Sequence, residues 1–430
     1  MPRMGFFMEI IMKADTKVQF FSHKNGLSLD NRWGDLINLL DSCLVNGVAL
    51  PTVTSISIAD DGKMTVNFNA DHQCMLFQCI TLSACKPDVI NGKYRIVGVP
   101  NTTQFILSTD LIAQTVTTIG TAVLSPLGYD IIFSANQKRV YRAKNPTAQH
   151  PFIRIDESRA NADGSSVYND SYAKYGMVGL LASMNNVDDI NNNTVQQLPF
   201  DSANPTSNWD IKGSNGDCVR GWARWYWARA TNSYNSSSDA TAPSSGLRNF
   251  TLIGDSDAFY FLRTATGADN YKTLSGCGLF NSSLNSSIPQ WFLLSSAFKN
   301  ITASTGIDFS SNSIGYSTPL AYNETFAKFL VTHPMTLNGN SIIGLPIIPN
   351  YVSGSGTFNA NSMSALEIPF ADGLSYLRGT FKHIFYSGNA LGNISTTPIL
   401  SDSSMYVSDA AMVNGTPGGG GFYFYLGEYL

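Results

Sequence analysis

The segment 52-TVTSISIADDGKMTVNFNA-70 decides the fold class. Thr54, Ile56 and Ile58 alternate with polar neighbours, Asp60-Asp61-Gly62 supplies turn chemistry, and Met64, Val66 and Phe68 resume the period of two. This is the pattern of an antiparallel hairpin with one buried face. Just upstream, Trp33, Leu36, Ile37, Leu40 and Leu44 share one face at helical spacing with Asp35, Asn38 and Asp41 opposite, which predicts a helix capped at Gly47. Downstream, strand-like runs fall at 76–82, 94–99, 105–107 and 116–123, with Asn91-Gly92 and Asn101 as turns. The expected order is an N-terminal segment and helix over 1–50, then a small antiparallel β domain over 51–124.

Beyond 125-SPLG-128, short strands recur between Gly, Asn, Ser and Pro clusters, so 125–430 reads as a larger β-sandwich-like region, of one or two subdomains. Its candidate strands are 138–143, 152–156, 176–184, 220–228, 249–254, 257–263, 380–386 and 422–426. The polar stretches 191–217, 232–247 and 353–364 read as exposed loop tips. The fold class is therefore mainly β.

Only 13% of the 430 residues are Asp, Glu, Lys or Arg, against about 25% in ordinary soluble domains. Asn, Ser, Thr and Gly supply the polarity instead, as in 235-NSSSDATAPSSG-246 and 281-NSSLNSS-287. Such a surface is dehydrated at lower cost than a charged one, which suits permanent contact with copies of the chain or other neighbours. Ser/Thr/Asn enrichment is also common in all-β proteins, and composition alone does not separate the two readings. With net charge −4 and no basic run, nucleic acid is not an expected partner. No membrane-length apolar run is present, so insertion into a bilayer is not expected. Glu9 interrupts the apolar opening, which argues against a signal peptide and for synthesis in a cytosol, and residues 1–11 are expected to add little to the fold. N-x-S/T matches such as Asn249, Asn300, Asn323 and Asn393 then carry no glycosylation meaning. Six cysteines are too few for a disulfide scaffold.

Candidate chemistry is sparse. His72, Cys74, Cys79 and Cys85 are zinc-type ligands by residue type, but their spacing is not that of a knuckle, and the cysteines read better as small buried residues. Histidines 23, 72, 150, 333 and 383 accompany no G-x-S-x-G elbow. The runs 353-SGSG-356 and 418-GGGG-421 lack phosphate-loop context. Asp60-Asp61 and Asp188-Asp189 sit in turn-like sequence, although carboxylates distant in sequence can still meet in space. The densest feature is 220-RGWARWYWARA-230. Arg220, Trp222, Arg224, Tyr226 and Ala228 alternate with Ala223, Trp225, Trp227 and Arg229, so both faces carry rings. Either these rings fill a core, with Arg224 or Arg229 stacked on an indole, or some stack on a glycan. The segment 422-FYFYL-426 has the same ambiguity and could be a docking strand. No catalytic, cofactor-binding or metal-binding residue is assigned, and the chain is expected not to be an enzyme.

Several segments resemble a group of tailed-bacteriophage virion proteins. The stretch 35-DLINLLDSCLVNGVALPTVTSISIADDGKMTVNF-68 resembles their opening helix running into a β domain, and 88-DVINGKYRIVGVPNTTQFILS-108 their small β module. The stretch 126-PLGYDIIFSANQKRVYRAK-144 is similar to a further motif, with Tyr129 where tryptophan is common. Further matches are 152-FIRIDES-158, 183-SMNNVDDINNNT-194 and 249-NFTLIGDSDAFYFLR-263, while residues 1–11 and 232–247 depart from the pattern. The resemblance implies a virion structural protein of the tail, baseplate or tail tip. It would act as a symmetric homo-oligomer among other tail proteins, with no catalytic residues to carry over. Alternatives are a receptor-binding or capsid-decorating protein contacting host surface glycan through Trp222, Trp225, Tyr226 or Trp227, and a polysaccharide hydrolase.

Overall fold

The computed structural model describes residues 13–160, 163–165, 168–212, 219–230, 241–264, 272–295, 297–298, 301–302, 306–307, 319–320, 329–347, 365–387, 395–411 and 421–429, and its hairpin forms as the alternation dictates. Val53–Ile58 pairs antiparallel with Lys63–Phe68, setting Ile56 opposite Val66 and Ile58 opposite Met64. Gly62 closes the turn at φ +74°, a left-handed backbone that glycine adopts without penalty. A bulge between Val53 and Ser55 shifts the register, so Val53 rather than Thr54 turns inward. These strands belong to a seven-stranded sheet with Val48–Ala49, Cys79–Ser83, Gly92–Asn101, Gln104–Ser108 and Thr121–Leu124.

The predicted helix is α-helical over Asp35–Leu40 and continues as a π-helical turn over Asp41–Asn46. Gly47 follows at φ +72°, and a Cβ there would lie 2.4 Å from the Leu124 carbonyl oxygen, so both its conformation and its approach to the sheet require glycine. Asp35 departs from the expected polar face. It is buried and accepts a hydrogen bond from the Asp30 amide at 2.8 Å. The helix start is held by Glu157, whose carboxylate accepts from the Gly34 amide at 2.5 Å and the Ile37 amide at 2.7 Å. A buried negative charge there complements the positive end of the helix.

Among the described residues, two extended sheets and two short two-stranded pairs, Ile211–Lys212 with Val219–Arg220 and Ile301–Thr302 with Gly306–Ile307, are formed after residue 125. The middle sheet runs in the order Tyr129–Ala135, Lys138–Ala143, Phe152–Asp156, Lys174–Leu181, Ala223–Ala228, Ala297–Phe298, with Gln197–Leu198 also paired to Lys174–Leu181. The large sheet has 13 strands among the described residues. It begins with Gln19–Ser22, pairs that strand to Phe250–Gly254, and continues through Ala258–Thr264, Lys272–Leu279 and Trp291–Leu294 toward Leu377–Tyr386 and Gly421–Glu428.

The strand Ala258–Thr264 shows why its sequence is a continuous apolar run rather than an alternation. Phe259 and Phe261 enter one core with the helix and the seven-stranded sheet, while Tyr260 and Leu262 enter a second core with Phe370, Phe381 and Phe424. Both faces are covered, so no polar face is selected. The second core draws residues from both halves of the large sheet, which therefore face each other in sandwich fashion. Asn281–Ser282 pairs with Gly379 and Thr380 to tie the halves. Of the stretches read as loop tips, Gln196 to Phe200 is buried and carries the short strand Gln197–Leu198, while 232–240 and 353–364 lie outside the described residues.

The N-terminal strand is fastened by neutral amides. Gln19 donates from Nε2 to the carbonyls of Cys79 at 2.7 Å and Ser125 at 2.8 Å, and accepts on Oε1 from the amides of Cys79 at 2.9 Å and Phe20 at 3.0 Å. Gln78 donates to the Phe20 carbonyl at 2.9 Å and exchanges hydrogen bonds with Asn25 at 2.9 and 3.0 Å. Replacing Gln19 with leucine takes the side-chain partner from the buried Cys79 amide and Ser125 carbonyl, while the Cys79 carbonyl keeps the Ser125 amide at 2.9 Å. At about 1–3 kcal/mol for each such group, Gln19→Leu is expected to destabilise the protein by about 3 kcal/mol or more, read as a lowered urea midpoint.

Candidate functional site

The aromatic strand is interior. Ala223–Ala228 lies between Lys174–Leu181 and Ala297–Phe298, and Trp222 through Arg229 are each no more than 5% exposed. Trp225 donates from Nε1 to the Leu294 carbonyl at 3.0 Å and meets Phe259 edge-on. Trp227 meets Trp33 edge-on, and the Tyr226 ring lies 4.5 Å from that of Tyr175. Arg229 stacks over Tyr226 at 4.3 Å and Arg224 over Tyr175 at 5.2 Å. Glycan contact through Trp222, Trp225, Tyr226 or Trp227 is thereby overturned, because these rings have no face open to a sugar. The segment 422–426 is likewise no free docking strand: Gly421–Glu428 is paired on both sides, to Leu377–Tyr386 and Ser404–Ala410.

The zinc-type residues find other partners. His72 accepts on Nδ1 from the Cys74 amide at 2.9 Å and turns Nε2 toward the carbonyls of Asn101 and Gln104. Cys79 Sγ faces the Thr16 carbonyl and Cys85 Sγ that of Ser83. Burial pushes the Cys74 thiol far above its usual range, which disfavours the thiolate that a metal needs.

A charged cluster that spacing gave no means of finding forms at the turn 254-GDSD-257. Lys17, His150, Lys382 and His383 converge there from elements far apart in sequence. His383 Nε2 lies 3.0 Å from Asp255 Oδ2, and His150 Nε2 lies 3.0 Å from Asp257 Oδ1. Lys382 Nζ reaches Asp257 at 2.7 Å, and Lys17 reaches Asp255 at 3.2 Å and Asp257 at 3.5 Å. Burial works to raise the Asp255 carboxyl, but the His383 hydrogen bond and the nearby positive charges outweigh it and hold the group at about 2. The hydrogen bond from His150, opposed by burial and reinforced by Lys382, holds Asp257 well below the usual carboxylate range.

Thr147 Oγ1 lies 2.9 Å from His150 Nδ1, so Thr147, His150 and Asp257 have the order of a nucleophile, a base and its orienting acid. The chemistry fails at Nδ1. Its lone pair already accepts the Thr147 backbone N–H at 2.9 Å, which leaves it unable to take a hydroxyl proton. The cluster instead ties the N-terminal segment, the loop after Lys138–Ala143 and the strand Leu377–Tyr386 to one hairpin.

The remaining feature is a cavity of about 580 Å³ beside the middle sheet. Lys138, Arg154, Asp156, Asp188, Trp209 and Asp210 line it. Arg154 is 1% exposed, lies over the Trp209 ring at 4.4 Å, and bonds to the Val187 carbonyl at 2.6 Å, Asp188 at 2.7 Å and Asp156 at 3.0 Å. Asp188, one of the carboxylates in a turn-like pair, thus faces the cavity. Its neighbour Asp189 accepts from the Asn185 amide within the turn, and Asp61 of the other pair bonds Lys63 in the exposed hairpin turn. Sequence reading placed Arg154 and Asp156 on a strand but had no way to bring Trp209 over them.

No family model and no curated protein matches the sequence. Among solved structures, the chain is similar to a phage phi92 endosialidase at a TM-score of 0.15 and 11% identity, covering 87% of this chain and 51% of that one. The chain therefore spans about half the length of that structure, and a TM-score this low establishes no common fold.

Two outcomes are expected. Because the Asp255 and Asp257 carboxyls titrate lower when folded than in the unfolded chain, their stabilisation is fully present above about pH 4 and is lost as pH falls toward 2. Urea midpoints measured from pH 6 to pH 2 should fall steeply over the acid range, and less steeply in Asp255→Asn, which starts lower. Trp225→Ala should cost about 3–5 kcal/mol of stability through its cavity, measured by chemical denaturation.

Proposed function

We propose that the protein is a structural component of a bacteriophage tail, of the baseplate or tail tip, working through symmetric assembly and not through catalysis. The observation that carries this reading is where the segments resembling virion proteins lie. The helix at 35–46, the β module at 53–108, the strands at 129–143 and 152–156 and the hairpin at 250–263 all contribute to one apolar core, through Leu36, Val66, Ile96, Tyr141, Ile155 and Phe261. Segments scattered over more than 200 residues of sequence thus form a single packed body, as a resemblance to one kind of folded unit requires.

Surface chemistry supports assembly. Charge is scarce in composition, and part of it is buried in pairs such as Lys272 with Asp409 at 2.7 Å and Arg378 with Asp372 at 3.0 Å, all four side chains fully buried. Met335, Leu337, Leu374 and Leu377 are each about half exposed or more, in the segment after Phe329–Val331 and in the turn leading into Leu377–Tyr386, which the Arg378 hydrogen bond to the Thr332 carbonyl joins. Exposed apolar groups on joined segments suit contact with another copy of the chain.

Mass spectrometry of purified virions should detect the chain, and gold labelling with an antibody against it should decorate the tail. Light scattering should give a multiple of 46.7 kDa, or monomers that multimerise on the particle. A monodisperse monomer missing from virions would overturn the reading, as would clearing of host envelopes by the purified protein that a single Asp or Glu substitution abolishes.

A further inference from the structure

We infer that His333 is an acid-operated catch on the loop that carries Met335 and Leu337: neutral, it holds the loop closed, and protonated, it releases it. Its Nδ1 accepts two backbone N–H groups, those of Met335 at 3.2 Å and Thr336 at 3.0 Å. A ring nitrogen that accepts carries no hydrogen, so the closed loop requires a neutral imidazole with its proton on Nε2. The ring has little room to turn away, because Gly339 lies so close that a Cβ there would come within 2.8 Å of His333 Cγ. The loop is anchored on either side of the exposed Met335 and Leu337. Ser286 donates to the Pro334 carbonyl at 3.3 Å, and Asn338 donates to the Thr194 carbonyl.

A proton added at Nδ1 sets three N–H donors against one another with no acceptor between them, and both hydrogen bonds are lost. The charges around the ring favour the neutral form. Burial and the Arg378 guanidinium hold His333 below its usual value of 6.5, against Asp372, which pulls the other way from the end of the strand Leu366–Asp372. The segment 281–290, which touches the loop through Ser286, has no charged residue. The segment 194–202 has only Asp201, which accepts from the Ala203 amide and from Asn204 within its own turn. An imidazole that titrates lower when folded than unfolded stabilises the closed loop fully above its unfolded value, about 6.5, and the contribution is lost as pH falls through the folded value. The ring is half-buried, so protons reach it. When the loop opens, Met335 and Leu337 are re-aimed, and a contact built on them is made at neutral pH and withdrawn in acid. That use of the catch rests on the assembly reading above, whereas the catch itself does not.

The test is hydrogen exchange of the whole chain at about pH 7.5 and about pH 4.5, on either side of the ordinary histidine value. It is read by mass spectrometry on peptides spanning 333–340, as protection relative to the intrinsic exchange rate at each pH. His333→Asn keeps an acceptor that does not titrate, because an asparagine side chain accepts from the amide two residues on, as Asn101 does from Thr103 and Asn169 from Ser171, both at 2.9 Å. His333→Phe removes the acceptor. The expected result is at least a 5-fold loss of protection on acidification of the wild type, protection kept at both pH values in His333→Asn, and protection missing at both in His333→Phe. The wild-type comparison needs no variant, so it decides even if a substitution impairs folding. Wild-type protection that is the same at both pH values, an equal acid loss in His333→Asn, or full protection of His333→Phe at neutral pH would each overturn the proposal. A chain that proves monomeric and missing from virions leaves all of these outcomes unaltered, so the two readings fail separately.

Discussion

The architecture depends on a small group of neutral amides at the junction of two sheets. Gln19, Asn25 and Gln78 are buried, and between them they answer backbone groups on the N-terminal strand, on Cys79 and on Ser125. A carboxylate or ammonium in the same place would need a counter-ion and would suffer several kcal/mol of desolvation. An amide donates and accepts at once, so it can bridge two strands that belong to different sheets without introducing charge. Asn208 repeats the device in the middle sheet, donating to the Val178 carbonyl at 3.0 Å and accepting from the Trp222 and Ala223 amides at 2.9 Å. Neutral amides thus serve the interior as well as the exterior. Composition pointed to a surface that neighbours could cover, and the structure adds that some of the most important amides are internal fasteners.

Local chemistry explains which elements were legible. The hairpin at 53–68 and the helix ending at Gly47 followed from alternation, helical spacing and the special backbone of glycine, all short-range signals. Strands covered on both faces, such as Ala258–Thr264, were found as apolar runs, but nothing in such a run names the sheet it joins. Gln19–Ser22 was missed because its four residues carry neither period nor turn signal, and its partner, Phe250–Gly254, is more than 200 residues away. The clustering around Asp255 and Asp257 and the cavity around Arg154 were illegible for the same reason. Each gathers side chains that only the assembled sheets bring together. The 222–229 strand was the reverse case, conspicuous in sequence because two covered faces both demanded rings.

Charge is used sparingly, and part of it is confined to the interior. Glu157 sits under the start of the helix, Arg95 donates to the carbonyls of Asp15, Phe77 and Leu426, and the Lys272–Asp409 pair is sealed from solvent. Such groups do little for net stability relative to apolar replacements, but they penalise any alternative packing that would leave them unanswered. Selectivity of packing is useful in a body whose strands are numerous and similar.

Arg95 grips the Leu426 carbonyl, and Asp15 exchanges hydrogen bonds with Glu428 through the Asp15 amide and the Glu428 amide. The earliest described residues thus complete their bonding only once residues 421–428 have been synthesised. During translation the strand Gln19–Ser22 must wait for some 230 residues before its partner exists, and longer still for the far end to close over it. A ribosome that stalls short of that point releases a polypeptide with bare sheet edges and uncovered rings, which quality-control proteases and chaperones recognise. Completion of the fold therefore reports that synthesis has passed residue 428.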